Sequence, residues 1–234
     1  MHNTYLELLA YYGVGSAHPG GFALTRKIME TLEIDTTSKV VDLGCGTGET
    51  LAYIVRNYTC QVTGVDINKH MLSQAEQRLK HENLQAELVH ADISQLPFPS
   101  NTFDSAISES VIIFTDINKT LEECSRVLKE NGTFIAVEMS ALYPLSMKEL
   151  TEIKSVYGIE KVPAFDEWVR MLEQAGFTDI IHYRIGAAPT MKFTSSKMIY
   201  DFMPHINIMQ RYGRRLGYEV FKCRCIKGNI EYKD

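Results

Sequence analysis

The stretch Val40 to Gly48, VVDLGCGTG, limits this chain's fold more than any other feature: an apolar strand runs directly into three glycines that open a helix. Glycines without a Cβ let a ligand lie against the main chain, and the first turn of the following helix presents N–H groups with no partner inside that helix. A strand–turn–helix of this kind is the first step of a parallel α/β sheet whose ligand sits at the carboxyl ends of the strands.

The hydrophobic period then alternates between strand-like and helix-like stretches, as βαβ units require. Lys39 to Leu43, Gln61 to Asp66, Ala86 to His90, Phe103 to Ser108 and Thr133 to Glu138 read as five strands. Glu49 to Asn57, Lys69 to His81 and Asn118 to Lys129 read as the helices between them, with Asn68 capping the second and Asn131-Gly132 following the third. Before the first strand, Thr4 to Tyr11 and Phe22 to Leu32 read as short helices flanking a glycine-rich, aromatic loop. In the last third, Pro163 opens a helix that runs to about Ala175. Asp179 to Arg184 and Tyr218 to Cys225 are two further strands. The insertion between them, Gly186 to Gly217, carries Thr194 as an N-cap, Met198, Ile199 and Phe202 on a short helix, and Pro204 as a restart or kink. It reads either as a helix on the sheet edge or in a homodimer contact, or as a lid over a pocket.

Asp66, closing the second strand, stands where a carboxylate accepts hydrogen bonds from both hydroxyls of an adenosine ribose. The glycine spacing decides between cofactors. A dinucleotide fingerprint needs GxGxxG, whereas Gly44, Gly46 and Gly48 give GxGxG with Glu49 at the third glycine's place. Asp42 would oppose a pyrophosphate but suits a cationic amino group. S-adenosylmethionine carries such a group, so it is the expected cofactor and S-adenosylhomocysteine the expected product. A non-catalytic module binding either compound, and an NAD-dependent oxidoreductase, are the alternatives.

Five segments in order carry a family resemblance: VDLGCGTG, VTGVDIN, HADISQLPFPSNTFD, FDSAISESVIIF and LEECSRVLKENGTFIAVEM. Together they resemble the class I S-adenosylmethionine-dependent methyltransferases, within the small-molecule group similar to the ubiquinone-biosynthesis and sterol enzymes. The resemblance implies a Rossmann-like three-layer α/β sandwich. Its seven-stranded, mostly parallel sheet would have the order 3-2-1-4-5-7-6 with strand 7 antiparallel, N-terminal helices, and here an unusually long 6-to-7 insertion. It implies one domain over 1–234, with a helical cap at 1–35, a cofactor-binding core at 36–140 and the insertion at 186–217 as a lid candidate. It assigns Gly44, Cys45 and Gly46 to the methionine portion of the cofactor, Asp66 to the ribose, Ile67 to the adenine face, and Asp92 and Ile93 to the adenine edge. Met71 packs on the base or fills the core. Gly20, with Gly21, Tyr11, Tyr12 and His18, falls in the segment that in similar enzymes closes over the methionine end and walls the acceptor pocket.

Methyl transfer is an in-line displacement, so the protein aligns a nucleophile about 3 Å from the methyl carbon and excludes water; no protein nucleophile is required. Where the acceptor must lose a proton, His18 and Glu109 are the base candidates by position, Glu109 alternatively serving a structural or amino-group role. Tyr183, Tyr200, His205, Tyr212 and the methionines near position 190 are either pocket roof or core, and Arg211, Arg214 and Arg215 either an acid-binding cluster or a solvated face. Against 24 Lys and Arg stand 29 Asp and Glu, a net charge of −5 that offers no field for nucleic acid. No apolar run is long enough to span a bilayer, and the first ten residues are too polar for a signal peptide, so a cytoplasmic protein with a small-molecule acceptor is expected. The five cysteines read as reduced core residues, including Cys223 and Cys225, and no metal site is expected.

Overall fold

A computed structural model describes residues 4–15, 17–18, 20–185 and 193–227. Seven strands form one sheet in the order β3-β2-β1-β4-β5-β7-β6. These are β1 Lys39–Leu43, β2 Gln61–Asp66, β3 Glu87–His90, β4 Phe103–Glu109, β5 Leu128–Ala141, β6 Phe177–Ile185 and β7 Leu216–Cys225. β1, β2, β3, β4 and β5 run parallel to one another, while β7 pairs antiparallel with both β5 and β6. This is the Rossmann-like topology implied by the ordered segments.

Helices cover both faces, and the central strands are apolar because each must bury both faces. Val40, Val41 and Leu43 of β1, and Phe134, Ile135 and Val137 of β5, are essentially inaccessible. One core layer packs α5 (Ile117–Val127) and α7 (Phe165–Gln174) on the sheet, with Phe134 and Phe177 stacked at 4.9 Å. Trp168 of α7 is 1% exposed and its indole N–H donates to the Met139 carbonyl at 2.9 Å. Cys223 and Cys225 are buried in the same layer, as small core residues. The other face is covered by α2 (Gly21–Met29), α3 (Glu49–Asn57) and α4 (Lys69–His81). Asn68 caps α4 as its sequence position implies, accepting from the His70 and Met71 N–H groups.

Several boundaries differ from the sequence reading, each for a local reason. α1 is Tyr5–Tyr12, because Thr4 lies outside it and forms a capping box with Glu7. α2 ends at Met29, earlier than Leu32. α5 stops at Val127: Leu128 is already extended and pairs with Phe103, so β5 begins before the Asn131-Gly132 turn residues rather than after them. β6 starts at Phe177 and carries an irregularity between Thr178 and Ile181, with Asp179 at φ 50°.

A further helix, α6 (Met147–Tyr157), fills a stretch with no assigned element. In the insertion, α8 (Ser196–Asp201) is capped by Ser195 rather than Thr194, whose hydroxyl reaches the Met198 sulfur instead. α9 (Met203–Tyr212) restarts at Pro204 as the sequence suggests. Residues 186–192, the start of that insertion and the place of Met191, lie outside the described residues. No helix among those described is long and apolar enough to cross a membrane.

Candidate active site

At the carboxyl ends of β1, β2 and β4 lies a cavity of about 370 Å³, reaching from Asp66 and Asp92 at one end to Tyr157 and His205 at the other. Its floor is the VVDLGCGTG turn. Gly44, Gly46 and Gly48 all have positive φ, but only one of the three opens on space. A Cβ on Gly44 would strike Val111 and one on Gly48 would strike Ala75, so these two glycines serve internal packing. A Cβ on Gly46 meets nothing within 4 Å, which leaves bare backbone facing the cavity.

The turn's N–H groups are turned inward. Gly44 and Cys45 both donate to the Val65 carbonyl, at 2.8 and 2.9 Å, and Gly46 donates to Asp66 Oδ2 at 2.9 Å. Such a loop does not offer the nest of free donors that a pyrophosphate requires. The charge agrees: Asp42, Glu49, Asp66, Asp92, Glu109 and Asp116 line the cavity, and no Lys or Arg does among the described residues.

Asp66 is held by a second bond, accepting the Asn68 N–H on Oδ1 at 2.8 Å, and burial raises its pKa against those bonds. Asp42 is 3% exposed, and its Oδ2 has no hydrogen-bond partner. Burial, with Glu109 and Asp66 nearby, pushes this carboxyl well above the ordinary range. An orphaned buried carboxyl beside two other acids is a site prepared for a cation.

Glu109 ends β4, where the chain turns through Ser110 at φ 60°, a conformation uncommon outside glycine. Its Oε1 accepts the Thr25 hydroxyl at 2.7 Å and its Oε2 the Thr50 hydroxyl at 2.8 Å. His18 Nε2 lies 3.1 Å from the Thr25 oxygen and 3.5 Å from Glu109 Oε1. Since the Thr25 proton goes to Glu109, Nε2 of His18 is the donor to Thr25. The four side chains thus bind α2, α3 and β4 around the cavity wall.

At the adenine-side positions, Ile67 is 65% exposed, an unusual setting for isoleucine unless something covers it, and its carbonyl is bonded to His90 Nε2 at 2.9 Å. Ile93 is buried, Asp92 is exposed at the rim, and Met71 packs beneath Leu8 and Leu9 of α1. Every cofactor-site residue singled out from the sequence lines the cavity except Gly20. Gly20 instead precedes α2 as its N-cap in the left-handed region, and its missing Cβ makes room for Leu24.

The opposite end is aromatic, and there the sequence reading was incomplete. Tyr5 of α1, Phe114 after β4, Tyr157 of α6, His205 of α9 and Tyr218 of β7 share the lining with Ile113 and Met139. Tyr5 stacks on His205 with centroids 5.1 Å apart and meets Tyr157 edge-on at 5.1 Å. Burial pushes the Tyr218 hydroxyl up to about 12 and the His205 imidazole down to about 4. Of the roof candidates among the described residues, only His205 reaches the cavity. Tyr183 and Tyr200 are exposed, and Tyr212 donates to Glu152. Tyr11 is exposed, while Tyr12 donates to Asp201 at 2.6 Å and so ties α1 to α8. Arg211 and Arg215 pair with Glu152 and Glu149 of α6 and Arg214 is exposed, so the basic cluster lies on an outer face.

Comparisons with known proteins agree with this geometry. A family model described as "Methyltransferase domain" matches residues 41–136. The Bacillus subtilis protein YodH, described as an uncharacterized methyltransferase, is 32% identical over 229 residues, covering 94% of this chain and 98% of that one. Among solved structures, Haemonchus contortus phosphoethanolamine N-methyltransferase 2 in complex with S-adenosyl-L-methionine superposes with a TM-score of 0.78 at 18% identity, over 95% of this chain and 57% of the other. The [4+2]-cyclase SpnF superposes at 0.75 with 19% identity, over 95% and 93%. The chain belongs to the class I S-adenosylmethionine-dependent methyltransferases, as its ordered segments implied.

Proposed function

We propose that this chain transfers the methyl group of S-adenosylmethionine to a small, uncharged or cationic acceptor held at the aromatic end of the cavity. The observation that carries this reading is a single cavity joining an acidic, glycine-floored half to an aromatic half. Bound in the acidic half, the cofactor supplies a methyl group on a sulfonium centre, open to displacement by a nucleophile.

The residues fit that group. Asp66 keeps a lone pair on each oxygen after its two backbone bonds, which suits the two ribose hydroxyls. Asp42 and Glu109 face the ammonium, Gly46 leaves room for the methionine portion, and Cys45 walls it. Ile67, Ile93 and Met71 enclose the base, with Asp92 at its amino group. His18, through Thr25, holds the N-terminal segment against Glu109 and so keeps water from the methionine end. With Nε2 already donating and both Glu109 oxygens engaged, neither residue is placed here as the base.

The lack of any lining Lys or Arg among the described residues supports an acceptor without phosphate or carboxylate, unlike the substrate that names the Haemonchus enzyme. It also disfavours a nicotinamide dinucleotide. On this reading the whole chain acts as one domain, with α1, α8 and α9 as the cover.

The test is isothermal titration of the chain with S-adenosylmethionine, S-adenosylhomocysteine and NAD, after mass spectrometry for co-purified ligand. Binding of both adenosyl compounds with NAD silent is expected. Binding of NAD alone would overturn the proposal.

A further inference from the structure

Tyr157 and His205 come from helices α6 and α9, both outside the ordered run of motifs between Val40 and Met139, yet they meet at the cavity. The Tyr157 hydroxyl lies 2.8 Å from His205 Nδ1, and both residues line the aromatic half. Tyr157 is 3% exposed and the imidazole is stacked on Tyr5, so the pair is fixed and shielded from bulk water.

Resting on the methyl-transfer reading above, we propose that the acceptor is a phenol, and that its proton leaves through Tyr157 to His205.

Three observations lead there. Tyr5, Phe114 and Tyr218 give the subsite aromatic walls, which suit a flat ring over an extended polar chain. Among the described residues no lining Lys or Arg is available to hold an anionic acceptor. A hydrogen-bonded hydroxyl–imidazole pair on the cavity wall can take up the proton that a neutral phenol must lose in order to react.

The relay balances. In the relay form Tyr157 donates to Nδ1, leaving its oxygen lone pairs to accept the phenol O–H. As the acceptor oxygen bonds to the methyl carbon, the carbon–sulfur pair returns to sulfur, the acceptor proton passes to the Tyr157 oxygen, and the Tyr157 proton passes to His205 Nδ1. One positive charge is lost from sulfur and one appears on the imidazole. Burial keeps His205 neutral and makes it a weak base, which suffices because the oxonium that an undeprotonated acceptor would leave on methylation is a far stronger acid. Tyr157 touches the acceptor and is the catalytic residue, whereas His205 acts through it.

The probe is phenol, which like a tyrosine side chain is un-ionised at neutral pH, added to the chain with saturating S-adenosylmethionine, and anisole formation is followed by chromatography. Wild type should methylate it. Tyr157→Phe, which removes one oxygen from a packed ring, should lower kcat by about 100-fold with the KM for S-adenosylmethionine unchanged. His205→Ala should show a similar loss that added imidazole restores, a rescue that a packing role would not give. In a readout independent of turnover, Tyr157→Phe loaded with S-adenosylhomocysteine should bind phenol about tenfold more weakly than wild type. Tyr157→Phe keeping the wild-type kcat, or a chain that binds S-adenosylmethionine but methylates phosphoethanolamine or benzylamine and not the phenol, would overturn this proposal while leaving the methyltransferase reading intact. Failure to bind S-adenosylmethionine would instead overturn that earlier reading.

Discussion

The carboxylate of Glu138 sits under the backbone of Ile112 and receives its N–H at 3.0 Å, together with those of Val111 at 3.2 Å and Ile113 at 3.3 Å. An acid at the centre of an apolar strand thereby fixes the turn after β4 that supplies Val111, Ile113 and Phe114 to the cavity. Burial still pushes this carboxyl up to about 8 from 4.5. The folded chain therefore holds a proton that the unfolded chain has released, so the contribution to stability is full below about pH 4.5 and is lost as pH rises through about 8. Thermal unfolding of wild type should show that decline, and Glu138→Gln, which cannot ionise, should flatten it. Glu138→Ala, which strands three donors, should cost at least about 3 kcal/mol in denaturant unfolding.

Asp66→Ala should weaken S-adenosylmethionine binding by about 1–3 kcal/mol, because charge-assisted bonds to two hydroxyls are lost. It also releases the Gly46 and Asn68 N–H groups, so the melting temperature should fall slightly as well. Titration calorimetry gives the first quantity, and unchanged affinity would mean that the ribose lies elsewhere.

Gly44 and Gly46 should separate stability from binding. Gly44→Ala drives a Cβ into the Val111 side chain and should destabilise the fold, with a lower melting temperature before any ligand is added. A Cβ on Gly46 meets no protein atom within 4 Å, so the folding cost of Gly46→Val is chiefly the strain of φ 52°, about 1–2 kcal/mol. Its main effect should be loss of cofactor binding. The reverse ranking would show that Gly46 does not face the ligand.

Cation binding beside Asp42 should release a proton. Its pKa is raised in the free chain by burial and by the neighbouring acids, and a bound ammonium restores the charged form. Affinity for S-adenosylmethionine should therefore rise with pH, and calorimetry in two buffers of different ionisation enthalpy should report the released proton. Asp42→Asn should abolish that release and weaken binding.

The strands around β1 were legible because each is a short apolar run closed by turn residues, and the glycine turn with Asp66 marks one half of the site without any knowledge of contacts. The aromatic half was not. Tyr5, Tyr157, His205 and Tyr218 come from four elements far apart in the chain, and none stands in a pattern that separates a pocket wall from core. α6 was missed because Pro144 and a mixed polar pattern mask it, although the signal was present. Ser146 and Glu149 form a capping box and Gly158 closes the helix in the left-handed region. The same pair of signals would have placed Tyr157 on a helix end, but only packing brings that end to His205. Glu138 reads as an ordinary strand residue until the turn it holds is in view.

The chain contains a single tryptophan, Trp168, and its indole N–H is bonded to the carbonyl of Met139, whose side chain lines the cavity. An excited indole is sensitive to the field along that bond, so all of the tryptophan fluorescence originates one hydrogen bond away from the proposed acceptor subsite. Occupancy of the aromatic half thus has an optical signal built into the native sequence, readable without a label and without knowing which compound has entered.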